Sequence, residues 1–169
     1  MESLLEGLLQ FTPLASHSPS DERVDLSAIA EECVALLRAS EPQRQVDVTI
    51  QRNLVTRADP GLMRLVLQNL LSNAWKFTRP RPDARIAFER EPVEDAGAAP
   101  VFVVRDNGVG FEMVHAPRVF APFERLHADE AFCGAGLGLA IVRRAVERQG
   151  GSVWVHAGEG EGARFYFQV

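Results

Sequence analysis

The sequence predicts an α+β fold: a two-layer α/β sandwich whose mainly antiparallel mixed sheet is covered on one face by helices. Three observations carry this. Helical and extended patterns are mixed without strict βαβ alternation. Several strand candidates are linked as hairpins. The helical segments are apolar on at least one face and need a sheet or a neighbour to cover it. At 169 residues the chain is the size of one domain, and 46% hydrophobic with 24% charged residues is an ordinary globular composition.

Residues 1–11 place Leu4, Leu5, Leu8 and Leu9 at helical spacing. The pattern fits the tail of a longer amphipathic helix, or a short helix packed on its own domain. Residues 12–23 hold prolines, serines and a histidine and read as a linker. Asp25 opens a helix to about Ala39, with Leu26, Ile29, Ala30, Cys33 and Leu37 on one face. Val46, Val48 and Ile50 alternate as a strand. Asp59-Pro60 supplies an N-cap acid and a first-turn proline, and starts a helix that ends near Phe77, before Arg79-Pro80-Arg81-Pro82. Strands are expected at 85–90 and 101–105, joined by an acidic, small-residue-rich surface loop. An irregular stretch runs to about Cys133. Gly134-Ala135-Gly136-Leu137-Gly138-Leu139 then leads into a helix stopped by Gly150-Gly151. Strands at 152–157 and 163–168 flank a glycine-rich turn.

The net charge of −5 argues against a nucleic-acid surface, so any anionic ligand must be captured by local geometry. Cys33 and Cys133 belong to no Cys/His cluster, which argues against structural zinc and for free thiols in a reducing compartment. The N-terminus is acidic, unlike a signal peptide, and no apolar run approaches the ~20 residues of a membrane span. A soluble, cytoplasmic chain without direct membrane contact is expected.

The segment 67–78 carries the strongest chemical signal. It is apolar on most sides but has one polar stripe, Asn69, Asn73 and Lys76, at i, i+4 and i+7. Polar groups on a buried helix need partners. A magnesium-bound polyphosphate supplies them, because amide oxygens suit a hard cation and lysine suits phosphate. In Asp106-Asn107-Gly108-Val109-Gly110-Phe111 a carboxylate at a strand's end can accept from an exocyclic amine such as that of adenine. Gly108 and Gly110 let the backbone turn beside a flat ligand. Glycines before a helix, at Gly134, Gly136 and Gly138, present N–H groups to an anion. No GK[ST] follows, so this is no Walker A loop, and a dinucleotide fingerprint is not matched. Each glycine segment alone is weak.

In order, NLLSNAWKF, DNGVGF, FAPFERLH and GAGLGL resemble the N, G1, F and G2 boxes of sensor histidine kinases, over about Val24 to Val169. The FAPFERLH run and the terminal GARFYFQV look closest to phytochrome-like sensors. The resemblance implies that residues 24–169 form an ATP-binding catalytic domain with a mobile lid over roughly Glu112 to Cys133. Asn73 is implied to bind Mg²⁺ on the phosphates of ATP, with Asn69 lining the same site and Lys76 contacting phosphate. Asp106 is implied to read the adenine amine, in a pocket shaped by Gly108 and Gly110. Phe120 and Phe123 would anchor the lid, and Arg125 could reach the γ-phosphate from it. Gly134, Gly136, Leu137 and Gly138 would let the lid close and the helix start receive the phosphates. Ala135 and Ala163 stand where threonine is common in the family, so hydroxyl contacts are absent.

In gyrase-like and MutL-like relatives a glutamate one turn before the magnesium asparagine activates water. Asn69 holds that position here and is a poor general base, which reserves the phosphoryl group for a protein acceptor. None of His17, His115, His127 and His156 is expected in a helix with the acidic and basic neighbours of an acceptor box. The resemblance thus implies an acceptor histidine on a dimerisation domain, of which residues 1–11 would be the last helix end, and a response-regulator receiver domain as the next partner. A serine/threonine kinase of the anti-sigma-factor type and a non-catalytic nucleotide-dependent interaction module are the alternatives.

Overall fold

The computed structural model describes residues 18–92, 98–124 and 136–169. In chain order the elements are β1 (Glu22–Asp25), α1 (Leu26–Ser40), β2 (Asp47–Ile50), β3 (Val55–Ala58), α2 (Pro60–Phe77), β4 (Arg85–Glu91), β5 (Val101–Asp106), a 3₁₀ turn (Met113–His115), α3 (Gly138–Glu147), β6 (Ser152–Gly158) and β7 (Gly162–Gln168).

Both long helices begin where the sequence places an acid. Asp25 accepts from the Ala28 N–H at 3.1 Å and Asp59 from the Leu62 N–H at 2.9 Å, so each helix start has a side-chain cap. α2 buries Leu62, Met63, Val66, Leu67, Leu70, Leu71, Ala74 and Trp75, which covers more than one face. It can do so because α1 and α3 pack on its two sides and the sheet lies beneath it.

Five strands form the main sheet in the order β2-β4-β5-β7-β6. All pairs are antiparallel except β2 with β4. That parallel pair is made possible by α2, which lies on the connection between the two strands. Alternate residues point inward, and Ile86, Phe88, Phe102, Val104, Val155, Phe165 and Phe167 meet the helices. Phe88 and Phe167 stack with ring centres 6.3 Å apart, and Phe102 lies 5.4 Å from Phe167.

The separate antiparallel pair β1–β3 differs from the sequence expectation. Glu22 and Arg23 belong to a strand, not to a linker, and 55–58 is a strand that the pattern did not reveal. β1 buries only Val24 and β3 turns Thr56 and Ala58 inward, so neither shows an apolar alternation, and Asp25 serves both as strand end and helix cap. Residues 1–17, and with them the proposed helix end, lie outside the described residues.

Candidate functional site

Asn69, Asn73 and Lys76 do share one stripe of α2, yet they are half-buried rather than enclosed. The demand for partners is therefore weaker than a fully buried helix would impose. Asn69 meets part of it locally, because its Nδ2 donates to the Leu65 carbonyl one turn back at 2.8 Å. The Asn73 amide makes no hydrogen bond among the described residues, and Lys76 Nζ stands 4.4 Å from the centre of the Phe77 ring.

Each end of this stripe meets a glycine segment. At one end Asn69 Oδ1 lies against the start of α3: a Cβ on Gly138 would come within 2.8 Å of it. α3 has Leu137 at its N-cap and, among the described residues, no side-chain cap, unlike α1 and α2, and a helix start of this kind can receive an anion. At the other end the Val109 N–H donates to the Phe77 carbonyl at 3.2 Å, and Gly108 packs on that same carbonyl. The eight steps from Asn69 to Phe77 span about 12 Å of helix axis, so the amides and the ammonium lie between the start of α3 and the Asp106 loop.

Asp106 closes β5 opposite Ala163 of β7. Its Oδ1 accepts from the Gly108 N–H at 2.8 Å. Burial pushes the carboxyl up to about 6, against the opposing pull of hydrogen bonds from the Gly108 and Ala163 N–H groups. An acid so placed favours a further donor, which an exocyclic amine provides. Ala163 lies directly beside this carboxyl.

The glycines of this loop have a reason the sequence did not show. Gly110 has φ 59°, and a Cβ there would come within 1.9 Å of the Gly158 carbonyl oxygen. Its smallness serves contact with the β6–β7 turn, and Gly108 is likewise closed off by α2. The tight approach is protein on protein.

The phenylalanines divide. Phe120 is buried and meets Phe165 edge-on at 6.2 Å. Phe123 is 63% exposed, so it does not anchor by burial. Its role is in the backbone: it adopts φ 65°, rare for a bulky residue, and its N–H donates to the Gly136 carbonyl at 2.9 Å. Gly136, at φ 70°, allows that clasp, since a Cβ would come within 2.9 Å of the Glu124 oxygen. Arg125, His127, Cys133, Gly134 and Ala135, and the latter half of the expected lid, lie outside the described residues.

Residues 58–169 match the family model of histidine kinase-, DNA gyrase B- and HSP90-like ATPases. The chain belongs to this family. Its relatives include cyanobacterial phytochrome B of Nostoc, 33% identical over 171 residues, and the phytochrome-like protein Cph1 of Synechocystis, 29% identical over 170 residues. Each alignment covers 100% of this chain but 22% of the relative, so the chain spans about a fifth of these proteins' length. The sensor histidine kinase AruS of Pseudomonas aeruginosa is 31% identical over 99% of the chain and 17% of its own length. Among solved structures, full-length ShkA in complex with AMPPNP superposes with a TM-score of 0.78 at 29% identity, over 99% of this chain and 35% of that one. The mycobacterial sensor histidine kinase MprB shares the fold, with a TM-score of 0.71 at 24% identity over 87% of this chain and 95% of that one. The chain is an ATP-binding domain homologous to those of sensor histidine kinases, and the α+β sandwich expected from sequence is the fold it adopts.

Proposed function

We propose that this domain binds ATP with Mg²⁺ and transfers the γ-phosphoryl group to a histidine of a dimerisation domain, as the catalytic part of a two-component sensor kinase. The observation that carries the reading is the half-buried Asn69–Asn73–Lys76 stripe, held between the uncapped start of α3 and the Asp106 loop.

The donor set fits magnesium. No cluster of three His, Cys, Asp or Glu side chains could hold a metal among the described residues. Single amide oxygens remain, and Mg²⁺ is commonly bound by few protein ligands with phosphates and water completing an octahedron. Asn73, whose amide makes no hydrogen bond among the described residues, would hold the ion, which when bound would neutralise phosphate charge. Lys76 adds a cation beside the phosphates, and the N–H groups at Gly138 receive their oxygens. Asp106 accepts from the adenine amine and fixes the other end of the substrate. Asn69, already turned back on Leu65, cannot take a proton from water, which disfavours hydrolysis and leaves transfer to an acceptor. Arg125 is assigned the γ-phosphate from sequence alone. Residues 24–169 are the catalytic unit and 1–11 the end of a dimerisation helix. A receiver domain then takes the phosphoryl group from the acceptor histidine.

The test is an assay with radiolabelled ATP and a dimerisation hairpin added in trans. Acid-labile phosphohistidine on the hairpin is expected with the natural sequence and not with Asn73→Asp. Nucleotide binding without transfer to any hairpin would reduce the domain to an interaction module, and phosphoserine on a partner would favour the anti-sigma-factor type.

A further inference from the structure

We propose that Arg81 is a positioning residue for nucleotide binding: its guanidinium joins the Asp106–Gly110 loop to the β6–β7 turn and so holds the base-recognising acid in place. The inference rests on the assignment of that loop to the base.

Arg81 follows α2 by a tight turn, its own N–H donating to the Thr78 carbonyl at 3.0 Å. From there its half-buried side chain reaches two loops at once. Nη2 donates to the Gly108 carbonyl at 3.3 Å and also to the Gly160 carbonyl. The neighbouring arginines are used otherwise, Arg79 pairing with Glu41 at 2.7 Å and Arg85 with Asp83 at 3.3 Å. Arg81 spends its charge on backbone carbonyls.

Those carbonyls belong to segments that must stay in register. The Gly160 N–H donates to the Val109 carbonyl at 2.7 Å, and a Cβ on Gly162 would come within 2.0 Å of the Asp106 carbonyl oxygen. The Asp106 loop is thus pressed between α2 and the β6–β7 turn. Backbone contacts set the spacing, and the arginine is the one side chain among the described residues seen to bond both loops. A guanidinium suits this, because it presents several fixed N–H donors, whereas an ammonium is a single point charge on a flexible stem. Arg81 touches neither substrate nor reacting atoms in this reading. It acts through the position of Asp106.

Calorimetric titration of ADP and of a non-hydrolysable ATP analogue, each with Mg²⁺, tests this on the natural sequence, Arg81→Ala and Arg81→Lys. Arg81→Ala is expected to weaken both nucleotides by the same factor, about tenfold, since what is lost lies at the base they share. Arg81→Lys is expected to recover part of that loss. Amide exchange provides a readout that general loosening would not mimic: Val109 and Gly160 should exchange faster in Arg81→Ala while the buried turns of α1 and α2 stay protected. Unchanged affinity in Arg81→Ala, a loss confined to the triphosphate analogue, or uniformly faster exchange would each overturn the proposal. If Arg81→Ala does not fold, Arg81→Lys decides it by the same comparison. Failure of the natural sequence to bind either nucleotide would remove the reading of the site itself, which is a distinguishable result.

Discussion

Asp106, proposed to read the base, also bears on stability. Its carboxyl is raised by burial from 3.8 in the unfolded chain to about 6 in the fold. The folded state therefore keeps a proton that the unfolded chain releases between these values. Stability from this group is present below about pH 4 and is lost as pH rises through 6. By that linkage the ionised acid costs on the order of 2–3 kcal/mol at neutral pH. Asp106→Asn is expected to melt above the natural sequence at pH 7.5, with the gap closing toward pH 4 in a calorimetric series. It should nevertheless bind nucleotide far more weakly, having exchanged an acid for an amide that also carries donors. Donation from an amine favours the ionised form, so adenosine affinity should rise with pH up to about 6 and then level. A pH-independent affinity would remove Asp106 from the base. The acid was legible in the sequence because it ends an apolar strand and precedes a glycine turn. Its neighbour Ala163 was legible only as a missing threonine, since pairing across β5 and β7 is a tertiary fact.

At the scale of elements, the last turn of α2 joins the parts of the site. Its orphan carbonyls are all taken. Ala74 accepts from the Thr78 N–H at 3.2 Å, Trp75 from Arg44, Lys76 from the Arg79 N–H at 3.2 Å and Phe77 from the Val109 N–H at 3.2 Å. Arg44 also stands 5.1 Å from the centre of the Trp75 ring, so the segment after α1 closes the helix that carries Lys76. The Asp106 loop is held on its far side by Gly110. Gly110→Ala combines a left-handed backbone with a carbonyl oxygen 1.9 Å from the new methyl carbon. A loss of about 3 kcal/mol is expected, near 8 °C in melting temperature, from strain and overpacking together. A melt within about 2 °C of the natural sequence would show that the turn shifts freely. Helix starts and the longer strands were readable from caps and alternation. The pairings that make Gly110 indispensable join residues about fifty positions apart, and no local pattern encodes them.

Across the whole molecule, one residue links three parts of the chain. Asp59 caps α2 through Oδ1, while its Oδ2 accepts from the Ser20 N–H at 3.0 Å and the Ser20 hydroxyl at 3.3 Å. Its own N–H donates to Gln149 Oε1, beyond α3, at 2.7 Å. With β1 zipped onto β3, the segment before the domain is fastened to the start of the helix that carries the Asn69–Lys76 stripe. Asp59→Ala is expected to cost about 2 kcal/mol, more than a helix cap alone usually does, and Asp59→Asn about half of that. Equal stability of all three in denaturant titrations would show that Ser20 and the cap contribute separately and little. Among the described residues no helix is long and apolar enough to cross a membrane.

The order of the glycine and asparagine motifs was enough to name the family and the kind of fold. Chemistry of that sort is written in residue types and spacing, which survive as a linear pattern. The β1–β3 pair, the exposed Phe123 with its backbone clasp on Gly136, and the two carbonyls shared by Arg81 were decided only in three dimensions. Each depends on distant segments meeting, and the energy of such a contact belongs to the pair rather than to either stretch of sequence.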